Sequence, residues 1–324
     1  MAGVTALFGG TGALDAPAAI GGGGFGGIGT PPELIGHGLD EQGAHEVLDR
    51  CVELGVVIVD TAHSYAGGAS HRMIGSWLAA DASRAERIAI VDKVGMVARD
   101  GHVGIDLSAG RVVAQADEGR RRLGVAAVDV IMTHAPDPAT PPVDTATALG
   151  TLLDRGSARH WGLSNVTHGD LVAWLDTVDR IGLPDPLFVE NRYSLVDRDD
   201  EAEVLPSCRE RGITYLAFSP LAGGVLTGKY RRDQVPPPGS RMTLRPEFGA
   251  RLDHRLHAAL DALTAMASDR GVSPAALALA WVLAQPGVRP VVGVSKPHHL
   301  DALEAALDME LEPADGEAIA GSMM

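Results

Sequence analysis

The stretch EQGAHEVLDRCVELGVVIVDTAHSY, residues 41–65, joins a helical segment to a short apolar run. The segment Glu41–Leu54 is amphipathic, as a helix packed on a core requires, and Asp40 before it is a favourable helix cap. Gly55 follows at the position where helices favour a left-handed residue. The run Val56–Asp60 is apolar almost throughout, which is typical of a strand buried on both faces of a parallel sheet. This unit predicts an α/β protein.

The same alternation continues along the chain. The predicted strands are Ala19–Gly23, Val56–Asp60, Ile88–Lys93, Val128–Thr133, His160–Leu163, Leu187–Glu190, Thr214–Phe218 and Val291–Val294. The predicted helices are Glu41–Leu54, Ser70–Ala80, Ala109–Leu123, Val143–Arg155, His168–Ile181, Asp200–Arg211, Asp253–Gln285 and Pro297–Leu307. Eight strands, each followed by a helix, over about 300 residues are typical of a (β/α)8 TIM barrel. No linker divides the sequence, so we expect a single domain spanning residues 1–324.

Composition and charge limit the possible partners. The chain carries 27 Lys and Arg against 42 Asp and Glu, and the net charge of −15 disfavours nucleic acid or an anionic membrane as a partner. No run approaches the roughly 18 apolar residues of a membrane span, and Met1–Phe8 lacks the features of a secretory signal. We therefore expect a cytoplasmic protein. Cys51 and Cys208 are too few and too far apart for a disulfide framework or a zinc site, so we expect buried thiols and no metal.

Two glycine-rich segments, 9–12 and 21–24, resemble fragments of a phosphate loop. Neither gives the G-x-G-x-x-G pattern between a strand and a helix, so a Rossmann fold is disfavoured. Glycines at the end of the first strand more simply let a ligand approach the backbone. One long connection, Ser219–Arg251, follows the seventh strand, and we expect it to cover the ligand site.

Polar residues stand where the predicted strands end. Asp60 ends the second strand, Lys93 the third, His134 follows the fourth, and Tyr65 lies five residues past Asp60. Because chemistry in a barrel sits at the carboxyl ends of neighbouring strands, we expect these side chains to converge. A lysine ammonium beside a tyrosine favours the phenolate, an aspartate orients the lysine, and a histidine can bind a carbonyl oxygen. Such a set can donate a proton to a carbonyl as hydride reaches its carbon.

The motifs resemble those of the aldo-keto reductases. Asp60-Thr61-Ala62-His63-Ser64-Tyr65 is similar to the family's tyrosine signature, and Lys93-Val94-Gly95 and Thr133-His134-Ala135-Pro136 resemble its lysine and histidine motifs. The resemblance extends over nearly the whole chain from about Ala19. Further matching segments are Trp161–Asn165, Tyr193–Leu195, Phe218–Tyr230 and Val292–Pro297.

This resemblance implies roles for individual residues. Tyr65 would be the general acid, tuned by Lys93 and Asp60, while His134 would orient a small-molecule carbonyl substrate. The residues that would contact the cofactor are Gly22, Ser164, Asn165, Glu190, Phe218, Ser219, Pro220, Leu221, Gly223, Ser295, Lys296 and His299. Among them Ser295 and Lys296 would face the adenosine phosphate. The chain has three lysines only, Lys93, Lys229 and Lys296. Two of them, Lys93 and Lys296, are at predicted site positions, although lysine is rare in this sequence.

Some positions depart from the family pattern. Glu190 stands where the family usually has a glutamine against the nicotinamide carboxamide, and its negative charge would favour the oxidised, positively charged ring. His299 stands where Arg or Gln is frequent at the adenosine. We expect NADP(H) in preference to NAD(H). Two alternatives stay open, an NAD-dependent sugar or alcohol dehydrogenase and a non-catalytic cofactor-sensing subunit. The sequence leaves the oligomeric state open.

Overall fold

Eight parallel strands close into a barrel in the computed structural model, which describes residues 16–99, 102–232, 234–244 and 252–323. The barrel strands are β1 (Ala19–Gly21), β2 (Ile58–Ala62), β3 (Ala89–Val94), β6 (Val128–Thr133), β7 (Ala158–Ser164), β8 (Phe188–Arg192), β9 (Thr214–Phe218) and β10 (Val288–Gly293). Their order around the barrel is β1-β10-β9-β8-β7-β6-β3-β2, closed by pairing of β1 with β2. The predicted fold class is therefore confirmed.

Helices cover the outside of the barrel. Their bounds are α1 (Glu41–Glu53), α2 (Ala69–Ala80), α3 (Ala109–Leu123), α4 (Pro142–Asp154), α5 (His168–Ile181), α6 (Val204–Glu210), α7 (Arg241–Leu244), α8 (His254–Asp269), α9 (Pro274–Leu283), α10 (Leu300–Leu307) and α11 (Pro313–Gly321). The residues predicted to begin and end the first helix are confirmed, since Asp40 accepts a hydrogen bond from the Gly43 N–H and Gly55 has a φ of +71°. Most of the buried apolar side chains pack between these helices and the strands.

The strand period of two decides what fills the barrel. Side chains that alternate along each strand point inward, and the lower interior is apolar. Ile58, Val91 and Phe188 belong to this inner cluster. Two residues further along the same strands come Asp60, Lys93 and Glu190, all of them buried. The interior therefore changes from apolar to charged at the carboxyl ends of the strands.

The predicted helix Asp253–Gln285 is wrong, because the structure has two helices there, α8 and α9. Gly271 adopts a φ of +69° after the first, and Ser273 caps the second by accepting the Ala276 N–H. Pro274 then occupies the first helical turn, where its missing N–H costs nothing. The sequence Ser273-Pro274, a helix cap followed by proline, therefore indicates that a second helix begins within the segment predicted as one helix.

Other elements differ at their ends. The first strand stops at Gly21, and a 3₁₀ turn, Gly22–Gly24, replaces its predicted end. The predicted helices Asp200–Arg211 and Pro297–Leu307 are shorter as α-helices, each preceded by a 3₁₀ turn at Asp199–Glu201 and Pro297–His299. The remaining barrel strands differ from their predicted bounds by no more than three residues.

Two strands and two helices were not predicted from the sequence. An antiparallel hairpin of β4 (Met96–Arg99) and β5 (His102–Ile105) follows β3 directly, and α7 and α11 complete the set. In the long connection after β9, a 3₁₀ segment at Ala222–Thr227 precedes α7, and residues 245–251 lie outside the described residues. The predictions for Met1–Phe8 and for the glycines at 9–12 also fall outside them.

The two cysteines are buried free thiols, as predicted, and burial raises the pKa of each to about 12. Across the described residues, no helix has both the length and the apolar character needed to cross a membrane.

Candidate active site

Lys93 is the centre of the polar cluster at the barrel mouth. Its Nζ donates to Asp60 Oδ1 at 2.5 Å and to Glu190 Oε1 and Oε2 at 2.9 and 3.1 Å. The three side chains, called here the mouth triad, are each no more than 3 % exposed. The predicted approach of Lys93 to Asp60 is present in the structure, and the second carboxylate partner was not predicted.

The mouth triad contains two carboxylates and one ammonium. Burial disfavours the charged form of each group, and attraction between the opposite charges favours it, so the two effects shift each pKa in opposite directions. Burial raises the pKa of Asp60 well above its ordinary range, Glu190 adds to the rise, and Lys93 opposes it. Burial disfavours the charged form of Lys93, but attraction to Asp60 and Glu190 outweighs it and raises the Lys93 pKa. Lys93 is thus held as an ammonium.

Tyr65 lies beside this ammonium, with Lys93 Nζ 5.4 Å from the centroid of its ring. Burial raises the pKa of the Tyr65 phenol above its ordinary value, and the charge of Lys93 only partly offsets that rise. The expected influence of Lys93 is therefore present but is outweighed by desolvation. At neutral pH the residue carries its phenolic proton.

His134 completes the group around the phenol. Its ring meets that of Tyr65 edge-on, with 5.6 Å between the centroids. Burial, and then the charge of Lys93, lower the pKa of His134 to about 3, so its imidazole is neutral at physiological pH. Its Nδ1 is buried without a hydrogen-bond partner among the described residues. A neutral imidazole with one N–H can donate a hydrogen bond without carrying a charge.

The loop that carries Tyr65 is tied to the outside of the barrel. His63 Nε2 lies 2.9 Å from Glu118 Oε2 on α3, and Arg122 of the same helix donates to the His63 carbonyl. Ala66 next to Tyr65 has a φ of +47°, a conformation that costs about 1–3 kcal/mol in a non-glycine residue. The contact with α3 holds the His63 side chain at the helix layer.

Pairing at the ends of β7, β8 and β9 brings the predicted nicotinamide contacts together. Ser164 is opposite Glu190, and Arg192 is opposite Phe218 in the next pair of strands. Asn165 Nδ2 donates to the His134 carbonyl at 2.8 Å, which joins this group to the catalytic candidates. Both oxygens of Glu190 bind Lys93, so its predicted contact with a carboxamide is in competition with a strong ion pair.

Backbone strain is concentrated at the same mouth. Among the described residues, the non-glycine residues with positive φ are Ala66, Asn165, Ser219 and Ala222. Three of the four follow β7 or β9. Gly223 and Gly224 continue the turn after β9 with φ values of +68° and +94°. Such conformations can turn backbone N–H groups toward an anion. The Ala222 and Gly224 N–H groups already donate to the Ser219 and Leu221 carbonyls within the turn, so a phosphate would rely on the other N–H groups of this loop.

The predicted adenosine contacts lie after β10. Ser295, Lys296 and His299 are all exposed, and the Ser295 N–H points to His299 Nδ1 at 3.4 Å. Although His299 is exposed as a residue, part of its ring is removed from water, and this desolvation, and then the charges of His298, Lys229 and Lys296, lower its pKa. Positive groups from two separate loops therefore meet here. A concentration of cations in a chain of net charge −15 fits a phosphate ligand.

Lys229 was not among the predicted site residues. A Cβ added to Gly224 would lie 2.8 Å from Lys229 Nζ, so this lysine reaches back over the turn after β9. The name rim cations is used here for Lys229 and Lys296. The rarity of lysine in the chain was a signal that could have identified it.

Gly22 has a packing explanation. A Cβ there would lie 2.7 Å from Ser70 Oγ and 3.1 Å from the Asp60 carbonyl. The absent side chain lets the end of β1 approach the start of α2, and a cofactor contact of Gly22 stays a prediction. Pro220 is buried and Leu221 half-buried in the turn after β9.

Comparison with known proteins agrees with this geometry. The sequence profile described as the Aldo/keto reductase family matches residues 19–322. A probable voltage-gated potassium channel subunit beta of Oryza sativa subsp. japonica is 30 % identical over 85 % of each chain. An aryl-alcohol dehydrogenase of Pestalotiopsis microspora is 31 % identical over 85 % of this chain and 71 % of its own. The structure of a glycerol dehydrogenase from Gluconobacter oxydans superimposes with a TM-score of 0.80 at 25 % identity, over 95 % of this chain and 91 % of that one.

The chain belongs to the Aldo/keto reductase family and is an oxidoreductase of that family. The family implies a nicotinamide cofactor and a small-molecule substrate. The predicted resemblance is thereby confirmed.

Proposed function

We propose that this enzyme reduces an aldehyde or ketone to an alcohol with NADP(H), and that Tyr65 supplies the proton. One observation carries the proposal. The Tyr65 ring lies 5.4 Å from an ammonium that is fixed by two carboxylates, and 5.6 Å from the neutral His134 ring. A phenol, a fixed cation and a neutral hydrogen-bond donor at one barrel mouth are suited to general acid catalysis on a carbonyl.

Each residue has a distinct task in this proposal. A bound nicotinamide in its reduced form supplies the hydride. Tyr65 donates its O–H proton to the carbonyl oxygen, and Lys93 stabilises the phenolate that remains. Asp60 keeps Lys93 charged and oriented, and neutral His134 donates a hydrogen bond to the same oxygen. General acid catalysis of this kind contributes about 10²–10⁴ in rate.

Several described residues are suited to hold the cofactor. Ser164 and Asn165 would hydrogen-bond the carboxamide, and Phe218 would pack against the nicotinamide ring. The turn of Ser219, Pro220, Leu221 and Gly223, with Lys229 above Gly224, fits the pyrophosphate. Lys296, with Ser295 and His299, would face the adenosine phosphate, and their positive surroundings support NADP(H) over NAD(H).

Oxidation of an alcohol is the second candidate direction. Glu190 supports it, because a second buried carboxylate favours a positively charged ring nearby. Two of the similar proteins are named as dehydrogenases, of aryl alcohols and of glycerol. The same residues would serve: the oxidised nicotinamide would take the hydride, and Tyr65 would accept the alcohol proton after first losing its own phenolic proton.

The proposal is tested with Tyr65→Phe. The variant keeps the ring and removes the proton, so we expect kcat for a carbonyl substrate to fall by about 10²–10⁴ while the Kd for NADPH changes less than about twofold. Tyr215→Phe is a matched control, because that phenol donates to Asp200 outside the mouth. Tyr65→Phe with normal turnover in a panel of carbonyls would refute the assignment.

A further inference from the structure

Glu190 is paired in a way that leaves the barrel mouth with an unbalanced negative charge. Lys93 is a single ammonium, and it binds both Asp60 and Glu190. With both carboxylates ionised, the mouth triad sums to −1. Glu190 is 2 % exposed, so water screens this charge poorly. A glutamine at this position would leave the triad neutral.

The charge lies where the proposed nicotinamide would bind. Glu190 is opposite Ser164 on one side and Leu216 on the other, and two residues later Arg192 is opposite Phe218. The Asn165 N–H donates to the Glu190 carbonyl at 2.9 Å. The residues proposed to contact the carboxamide and the ring therefore surround Glu190 at the ends of three neighbouring strands.

We infer that Glu190 is a specificity-determining residue that makes this enzyme select the oxidised form of its cofactor over the reduced form. This inference rests on the proposed function only in assigning the nicotinamide to this mouth; it concerns the binding of the two cofactor forms and holds for turnover in either direction. The oxidised ring carries a positive charge and neutralises the triad. The reduced ring is neutral, so it leaves the triad either with a net charge of −1 in a poorly screened site or with a proton taken up by the carboxylate pair, and both cost free energy.

The other charged groups facing the mouth do not cancel this effect. Asp60 and Lys93 belong to the triad, Tyr65 is a protonated phenol, and His134 is neutral. Arg192 has its guanidinium 5.8 Å from the centroid of the Phe218 ring and is exposed, so solvent screens its charge.

The test compares Kd values of NADP⁺ and NADPH for the wild-type enzyme and Glu190→Gln. We expect the ratio Kd(NADPH)/Kd(NADP⁺) to fall about tenfold in the variant, which corresponds to about 1.4 kcal/mol. The 2′-phosphate is common to both forms, so its contacts cancel in the ratio. Asp129→Asn is the control, because it removes a buried carboxylate at the start of β6, where Asp129 pairs with Arg159. Its ratio should stay at the wild-type value.

A pH series on the wild type gives a second measurement that needs no variant. Lowering the pH adds a proton to the carboxylates of the triad, where burial, and then Glu190, raise the pKa of Asp60. The negative charge is then lost, so the ratio Kd(NADPH)/Kd(NADP⁺) should fall as the pH falls. In Glu190→Gln the dependence should be weaker. A change that only loosened the structure would weaken both cofactor forms together and leave the ratio unchanged.

The outcomes separate this inference from the proposed function. A variant that binds both forms with the wild-type ratio overturns the role of Glu190 and leaves the proposed function intact. Failure of the wild type to bind either form overturns both. Should Glu190→Gln lack a cooperative thermal transition, the wild-type enzyme decides, because a ratio Kd(NADPH)/Kd(NADP⁺) of one or less overturns the inference.

Discussion

The two ends of the proposed cofactor site hold their charges in opposite ways. At the barrel mouth the triad is buried and its ammonium bonds both carboxylates at 2.5–3.1 Å. At the other end the rim cations are exposed and stand on loops after β9 and β10. A buried pair is costly to break because the remaining charge has no water, whereas an exposed cation acts through a field that salt screens. Substitutions at the mouth should therefore affect folding, and substitutions at the rim should affect binding alone.

The largest effect is expected from Lys93→Met. It leaves Asp60 and Glu190 buried together without a counter-charge, which should lower the free energy of unfolding by about 3–5 kcal/mol. Urea unfolding followed by circular dichroism measures this loss. Turnover should also disappear.

The double variant Lys93→Met/Glu190→Gln sharpens that prediction. Removing one of the two stranded carboxylates should recover part of the lost stability, although turnover stays absent. Equal stability of the single and double variants would contradict the assigned pairing of Lys93 with Glu190.

A smaller effect is expected from the neutral histidine at the mouth. The folded-state pKa of His134 is about 3, against about 6.5 in an unfolded chain. Below pH 6.5 His134 binds a proton in the unfolded chain but not in the folded protein. The free energy of unfolding therefore decreases as the pH falls toward 3. At pH 5 the loss from this residue amounts to about 2 kcal/mol relative to pH 7.

His134→Gln removes this group and provides the measurement. The difference in unfolding free energy between pH 7 and pH 5 should be about 2 kcal/mol smaller in the variant than in the wild type. Because other titrating groups are common to both proteins, they cancel in the comparison. An identical pH dependence in the two proteins would show that His134 is not kept neutral by burial.

The convergence of Asp60, Lys93 and His134 follows from rules that operate within the sequence. Parallel strands end at one face of a barrel, and the period of two fixes which residue of each strand points inward. The partnership of Lys93 with Glu190 does not follow from these rules. Two strands, β6 and β7, separate β3 from β8, so the contact crosses the barrel interior and depends on the length of the lysine side chain.

Loop geometry was the other part that sequence patterns left undetermined. The return of Lys229 over Gly224 depends on a run of positive φ values at Ser219, Ala222 and Gly223, of which only the glycine has an intrinsic preference for that region. The hairpin of β4 and β5 was missed because its strands are short, four residues each, and largely half-exposed or exposed. Such elements depend on tertiary contacts more than on local propensity.

The smallest effects are expected at the rim, where the two lysines should be separable by cofactor. Lys296→Ala should weaken NADPH about tenfold and NADH less than about twofold, because its proposed partner is the 2′-phosphate. Lys229→Ala should weaken both cofactors to the same extent, because its proposed partner is the pyrophosphate they share. Both losses should shrink in 0.5 M salt, at about half the screening length of 0.15 M salt. Arg121→Ala, an exposed cation on α3, controls for net charge. If Lys296→Ala weakened NADPH and NADH binding equally, the proposed contact between Lys296 and the 2′-phosphate would be contradicted.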